Sequence, residues 1–170
     1  LIRRSAMSNN FFVLCKQLGD LCVKKNIHIA LAESCTGGSV SGFITDVGCS
    51  DWFKGAAVVY SNEAKINIIN VNEALLKKYG AVSEPVAIAM AKGAMEKFQA
   101  DIAISITGIA GPKGGSSEKP VGMVCFALAD RQQKNCEATT QLFASGREYI
   151  RQSAAAFALQ WMIDYLSKQS

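Results

Sequence analysis

Histidine occurs once in the 170 residues, at His28, and that scarcity removes two kinds of chemistry at the outset. A zinc site of the Cys/His type needs clustered ligands, and the six cysteines (15, 22, 35, 49, 125 and 136) form no CxxC pair. A Ser-His-Asp triad would have to use His28, which sits inside an apolar run where a structural role is expected. Long apolar runs are missing too. None could span a bilayer, and no secretory leader is recognisable, so no membrane partner is expected. Basic clusters are equally scarce. The formal net charge is +4, yet the longest basic runs are the pairs Arg3-Arg4, Lys24-Lys25 and Lys77-Lys78. Charge this dispersed excludes a nucleic-acid footprint but suits a small anionic substrate. With 49% hydrophobic and 19% charged residues the composition is that of one globular domain, and the unpaired thiols point to a reduced, cytoplasmic setting.

What is present reads as alternating strands and helices. Residues 1–8, including the segment before Met7, are set aside as an extension or a cloning remnant, leaving a domain over 9–168. A helix is expected over about 9–25, where Phe12, Leu14, Leu18, Leu21 and Cys22 recur at helical spacing. Strands are expected at 27–32, 56–61 and 101–108, with a late hairpin (121–130 and 136–143) turning across 131–135. Helices should fill 36–45, a segment capped by Asn62, about 72–79 before Gly80, a segment capped by Ser83 with Pro85 in its first turn, and 146–166. Parallel units followed by a hairpin imply a three-layer α/β/α sandwich with a mixed β-sheet. In such sheets ligands bind outside the carboxyl ends of the strands. Three segments rich in polar residues and glycine, 33–38, 60–65 and 107–122, fall at those ends.

The first of them, Glu33-Ser34-Cys35-Thr36-Gly37-Gly38, joins a buried strand to a helix. Ser34 or Thr36 would serve as an N-cap, or Ser34 as a nucleophile, with the amides from Cys35 to Gly38 offering donors to an oxyanion. Cys35 is a rival nucleophile that lacks a histidine partner. Glu33 would either orient a lysine or cap the helix. Lys65, in Tyr60-Ser61-Asn62-Glu63-Ala64-Lys65, could act as a base if burial left its amine neutral, provided the two segments face each other. Thr107 and Gly108 open a loop with five glycines, and the Thr107 hydroxyl could donate into the crevice. Arg147 and Arg151 lie one turn apart, either facing one anion or forming an ion-pairing surface.

Taken in order and spacing, "AESCTGG", "YSNEAK", "GAVSEPVA", "TGIAGPKGGSSEKPVG" and the final arginine-bearing helix resemble the CinA carboxy-terminal domain family from about residue 11 to residue 165. The resemblance implies an amidase that hydrolyses nicotinamide mononucleotide to nicotinic acid mononucleotide and ammonia, with no metal and no other cofactor. It maps a Ser-Lys catalytic pair onto Ser34 and Lys65, and pocket-lining positions onto Tyr60, Thr107 and Arg151, with the phosphate expected on Arg151. Where the family often reads Gly-Asp-Arg before the last helix, this chain has Ser145-Gly146-Arg147. The alternative is a nucleotide-binding regulatory domain, without catalysis, linked to competence or DNA damage. A homo-oligomer is left open, with the apolar Trp161-Met162 region as a candidate interface.

Overall fold

A computed structural model describes residues 6–169. Residues 1–5, part of the stretch set aside as an extension, lie outside the described residues. The first helix, α1 (Ala6–Lys25), begins within that stretch, at Ala6. There follow β1 (Ile29–Glu33), α2 (Ser39–Thr45), β2 (Phe53–Val58), α3 (Asn62–Ile69), α4 (Glu73–Tyr79), α5 (Glu84–Lys97), β3 (Ile102–Gly108), β4 (Met123–Asp130), β5 (Asn135–Leu142) and α6 (Arg147–Lys168). The five strands form one sheet in the order β2-β1-β3-β4-β5. β2, β1 and β3 run parallel, whereas β3-β4 and β4-β5 are antiparallel, so the sheet is mixed.

Strand alternation divides the core between two faces. Ile29 and Leu31 of β1, the even positions of β3 and Phe126 of β4 pack with α1, α2 and α6. Ala30 and Ala32 with Ala103 face α3, α4 and α5 on the other side. Alanine is common on that second face, which lets α5 lie close to the sheet. The approach of α5 to α3 is closer still, since a Cβ at Gly93 would collide with the Ile69 carbonyl.

Three expectations need correction. β2 ends at Val58, three residues before the expected end at 61, and leaves Val59 and Tyr60 as a connection. The α3 cap is Ser61, whose hydroxyl accepts from the Ala64 amide at 3.0 Å, and not Asn62. α2 starts at Ser39, because Gly37 (φ 61°) and Gly38 (φ 91°) adopt left-handed conformations that cannot continue a right-handed helix. Met162, one half of the Trp161-Met162 pair named as a candidate interface, is buried in the core, whereas Trp161 is half-buried and packs against Phe157. Among the described residues no helix is long and apolar enough to cross a membrane.

Candidate active site

The pairing of β1 with β2 places Glu33 opposite Val58, and the Val59 amide donates to the Glu33 carbonyl at 2.8 Å. The connections leaving the two strands therefore start side by side. One carries Ser34; the other turns at the Ser61 cap and brings Lys65 back on the inner face of α3. Ser34 is itself fixed on the opposite side, its amide donating to the Ile106 carbonyl of β3 at 3.0 Å.

Lys65 is 1% exposed, and its Nζ lies 3.1 Å from Ser34 Oγ, 2.9 Å from the Val59 carbonyl and 3.0 Å from the Tyr60 carbonyl. Carbonyl oxygens can only accept, so two of the amine's hydrogens are committed to them. What remains at Nζ points at Ser34, and its character depends on protonation. An ammonium would donate its third hydrogen to Oγ; a neutral amine presents its lone pair to the Ser34 O–H. Burial lowers the Lys65 pKa from 10.5 to about 8, which opens the neutral form near physiological pH. No carboxylate pairs with Lys65 among the described residues.

Cys35 stands beside this pair but is 4% exposed, and burial pushes its thiol up to about 12. It is therefore a protonated, weak nucleophile at neutral pH. His28 is remote from the pair: its amide and Nδ1 both meet Asp101 Oδ2, at 2.7 and 3.1 Å, near the start of β3.

Glu33 settles its two readings in favour of the cap. Oε2 accepts from the Gly38 and Val40 amides at 3.0 and 3.2 Å, and Oε1 from the Ser41 amide and hydroxyl at 2.8 and 2.7 Å. Those bonds reduce the supply of oxyanion donors. The Gly38 amide belongs to Glu33, and the Gly37 amide donates to the Ser34 carbonyl at 3.0 Å. Only the Cys35 and Thr36 amides donate to no carbonyl or carboxylate among the described residues. Of the four amides expected to face an oxyanion, two are therefore already committed within the loop.

Other expected residues also take different roles. The odd positions of β3 face α5, so the Thr107 hydroxyl donates to the Ala81 carbonyl at 2.8 Å rather than into the crevice, as Ser105 donates to Ala87. Gly108 serves close packing, since a Cβ there would come within 2.7 Å of Val124 Cγ2. Arg147 is exposed and bridges the glycine-rich loop to the second connection, with Nη1 2.8 Å from the Gly111 carbonyl and Nη2 3.3 Å from the Tyr60 hydroxyl. Arg151 is turned inward: Nε donates to the Cys35 carbonyl and Nη2 to the Thr36 carbonyl, each at 3.0 Å. The two arginines therefore make separate sets of contacts. Thr36 is fully buried with its Oγ1 unpartnered among the described residues. The Glu33 cap was within reach of sequence reasoning, because a carboxylate next to a nucleophile candidate and just ahead of a helix is a capping signal. The Arg151 contacts were not, because backbone carbonyls carry no signature in the sequence.

A cleft of about 590 Å³ between β5 and α6, lined by Asn135, Glu137, Trp161, Asp164 and Tyr165, lies far from this chemistry. Among the described residues no three His, Cys, Asp or Glu side chains gather as a metal-ligand set.

Comparison with known proteins places the chain among relatives. Residues 12–166 match the CinA C-terminal domain family. The chain is 47% identical over 148 residues to the nicotinamide-nucleotide amidohydrolase PncC of Escherichia coli K12, spanning 86% of this chain and 89% of that protein. It is 46% identical over 157 residues to a putative competence-damage inducible protein of Symbiobacterium thermophilum, spanning 88% of this chain but only 37% of that longer protein. The crystal structure of competence/damage inducible protein CihA from Agrobacterium tumefaciens superposes with a TM-score of 0.89 at 35% identity, covering 94% of this chain and 96% of the other.

Proposed function

The chain belongs to the CinA C-terminal domain family, and from that premise we propose that it hydrolyses the carboxamide of nicotinamide mononucleotide to nicotinic acid mononucleotide and ammonia, with Ser34 as nucleophile and Lys65 as base. The substrate class is drawn from the nicotinamide-nucleotide amidohydrolase, a relative of similar length. One observation carries the mechanism: two backbone carbonyls hold the hydrogens of a buried amine whose remaining position meets Ser34 Oγ at 3.1 Å.

Neutral Lys65 takes the proton of Ser34 as Oγ bonds to the carboxamide carbon. The carbonyl oxygen gains negative charge, and the Cys35 and Thr36 amides are the donors open to receive it. One such donor is worth roughly 100- to 1,000-fold in rate. Lys65 then passes its proton to the amide nitrogen, the C–N bond breaks and ammonia leaves an ester on Ser34. Water adds to the ester, giving a proton to Lys65. The Ser34–acyl bond breaks, and that proton returns to Oγ as the acid is released. Arg147, exposed on α6 with its Nη2 3.3 Å from the Tyr60 hydroxyl, is the cation we assign to the phosphate. The inward contacts of Arg151 make it a poorer candidate.

Ammonia release from nicotinamide mononucleotide, nicotinamide riboside and free nicotinamide tests this reading. The mononucleotide should be turned over best and free nicotinamide worst. No ammonia from any of them, with the mononucleotide still bound, would favour a regulatory nucleotide-binding domain.

A further inference from the structure

We propose that Arg151 is a positioning residue that locks the oxyanion-binding peptide in place, and not the ligand of the substrate phosphate; the inference rests on Ser34 being the nucleophile, as above. A trans peptide is planar, with its N–H and C=O pointing in opposite directions. Fixing the Cys35 carbonyl therefore fixes the direction of the Thr36 amide, one of the two amides left open to an oxyanion.

Arg151 is what fixes it. Among the described residues the Cys35 carbonyl accepts no backbone hydrogen bond, and its partner is Arg151 Nε at 3.0 Å. The next carbonyl, of Thr36, accepts from Nη2 of the same guanidinium at 3.0 Å and also from the Ser39 amide at 3.2 Å, so it is the Cys35 carbonyl that depends on Arg151 alone. Adjacent N–H groups of one rigid, planar fork thus hold two successive peptides, a geometry that a lysine ammonium cannot reproduce. Elsewhere the loop has other anchors. Ser34 is tied to β3 through Ile106, and the amides of Gly38, Val40 and Ser41 are tied to Glu33. Between those anchors Gly37, at φ 61°, has no side chain to stiffen the loop; its amide donates to the Ser34 carbonyl at 3.0 Å, which leaves the Cys35-Thr36 peptide just ahead of it without a backbone tie. The guanidinium lies against Gly37, since a Cβ there would sit 3.5 Å from Arg151 Nη2. No carboxylate pairs with Arg151 among the described residues, so its charge is directed at the two loop carbonyls.

Two measurements on wild type, Arg151→Ala and Arg151→Lys decide the matter, with circular dichroism confirming that each variant is folded. In the first, kcat and KM are determined for nicotinamide mononucleotide and for the phosphate-free riboside. The expected result is a fall in kcat of about 100-fold on both substrates, the scale of one lost oxyanion donor, with KM and the preference for the mononucleotide retained. Arg151→Lys should recover only part of the loss. A raised KM for the mononucleotide, with riboside turnover untouched, would make Arg151 a phosphate ligand and overturn the proposal. In the second, a fluorophosphonate probe reacts at Ser34, forming an O–P bond and expelling fluoride, and labelling is followed by intact mass with Ser34→Ala as control. Slower labelling of Arg151→Ala supports the role, and an unchanged rate refutes it. Wild type that is labelled but releases no ammonia would sink the amidase reading and leave the Arg151 role to be decided by the probe.

Discussion

Replacing buffer at about pH 7 by buffer at about pH 9 is the perturbation that reaches Lys65 most directly. With a pKa of about 8, the buried amine is neutral in about a tenth of molecules at pH 7 and about nine-tenths at pH 9. If the neutral amine takes the Ser34 proton, kcat/KM should rise about tenfold across that span, with a slope near one on the acid side and a plateau above the midpoint. The same pKa has a second consequence that needs no substrate. In the unfolded chain the lysine returns to about 10.5, so between about pH 8 and 10.5 the unfolded state binds more protons than the folded one. Stability held back at neutral pH is thus recovered as pH rises through that window, by about 3 kcal/mol in all. The buried cysteines act in the opposite sense above about pH 9, because their folded-state pKa values are raised. The quantity to measure is therefore the difference between wild type and Lys65→Met in urea-unfolding free energy at each pH. It should shift in favour of wild type from pH 7 to 10.5. A pH-independent rate between 7 and 9, or a rate that falls across it, would refute the assignment of Lys65 as the base.

The remaining expectations concern the loop around Ser34. Cys35→Ala should keep ammonia release within a few-fold of wild type, because its thiol is protonated at neutral pH; loss comparable to Ser34→Ala would transfer the nucleophile to sulfur. Gly38→Ala places a side chain at φ 91° and 3.3 Å from Val58 Cγ2, which should cost about 1–3 kcal/mol and lower the melting temperature. Gly42→Ala, with nothing within 4 Å of the new methyl, should raise it slightly in the same calorimetric series. Glu33→Gln presents an amide nitrogen to donors that now meet carboxylate oxygen, and should destabilise the fold by about 2–4 kcal/mol in urea titration.

The α/β/α layering and the mixed sheet could be read from the sequence because alternating patterns and late hairpin signals reflect burial directly. So could the meeting of segments 33–38 and 60–65, since parallel strands deliver their exits to one edge. Local boundaries were harder to place. β2 ends at Val58, although Val59 still donates to the Glu33 carbonyl and its side chain is as buried as any strand residue. α2 starts late because two glycines that look like a helix opening are held in left-handed turns. Thr107 could not be placed without the register that turns the odd positions of β3 toward α5. The phosphate was expected on Arg151 through the family resemblance, whereas the acceptors that Arg151 meets are main-chain oxygens, which residue types do not display.

The most direct test is ammonia release from nicotinamide mononucleotide by wild type, Ser34→Ala and Lys65→Ala side by side. The account predicts ammonia and nicotinic acid mononucleotide in equal amounts from wild type, with each variant at least about 1,000-fold slower although still folded. Undiminished turnover by either variant would contradict it.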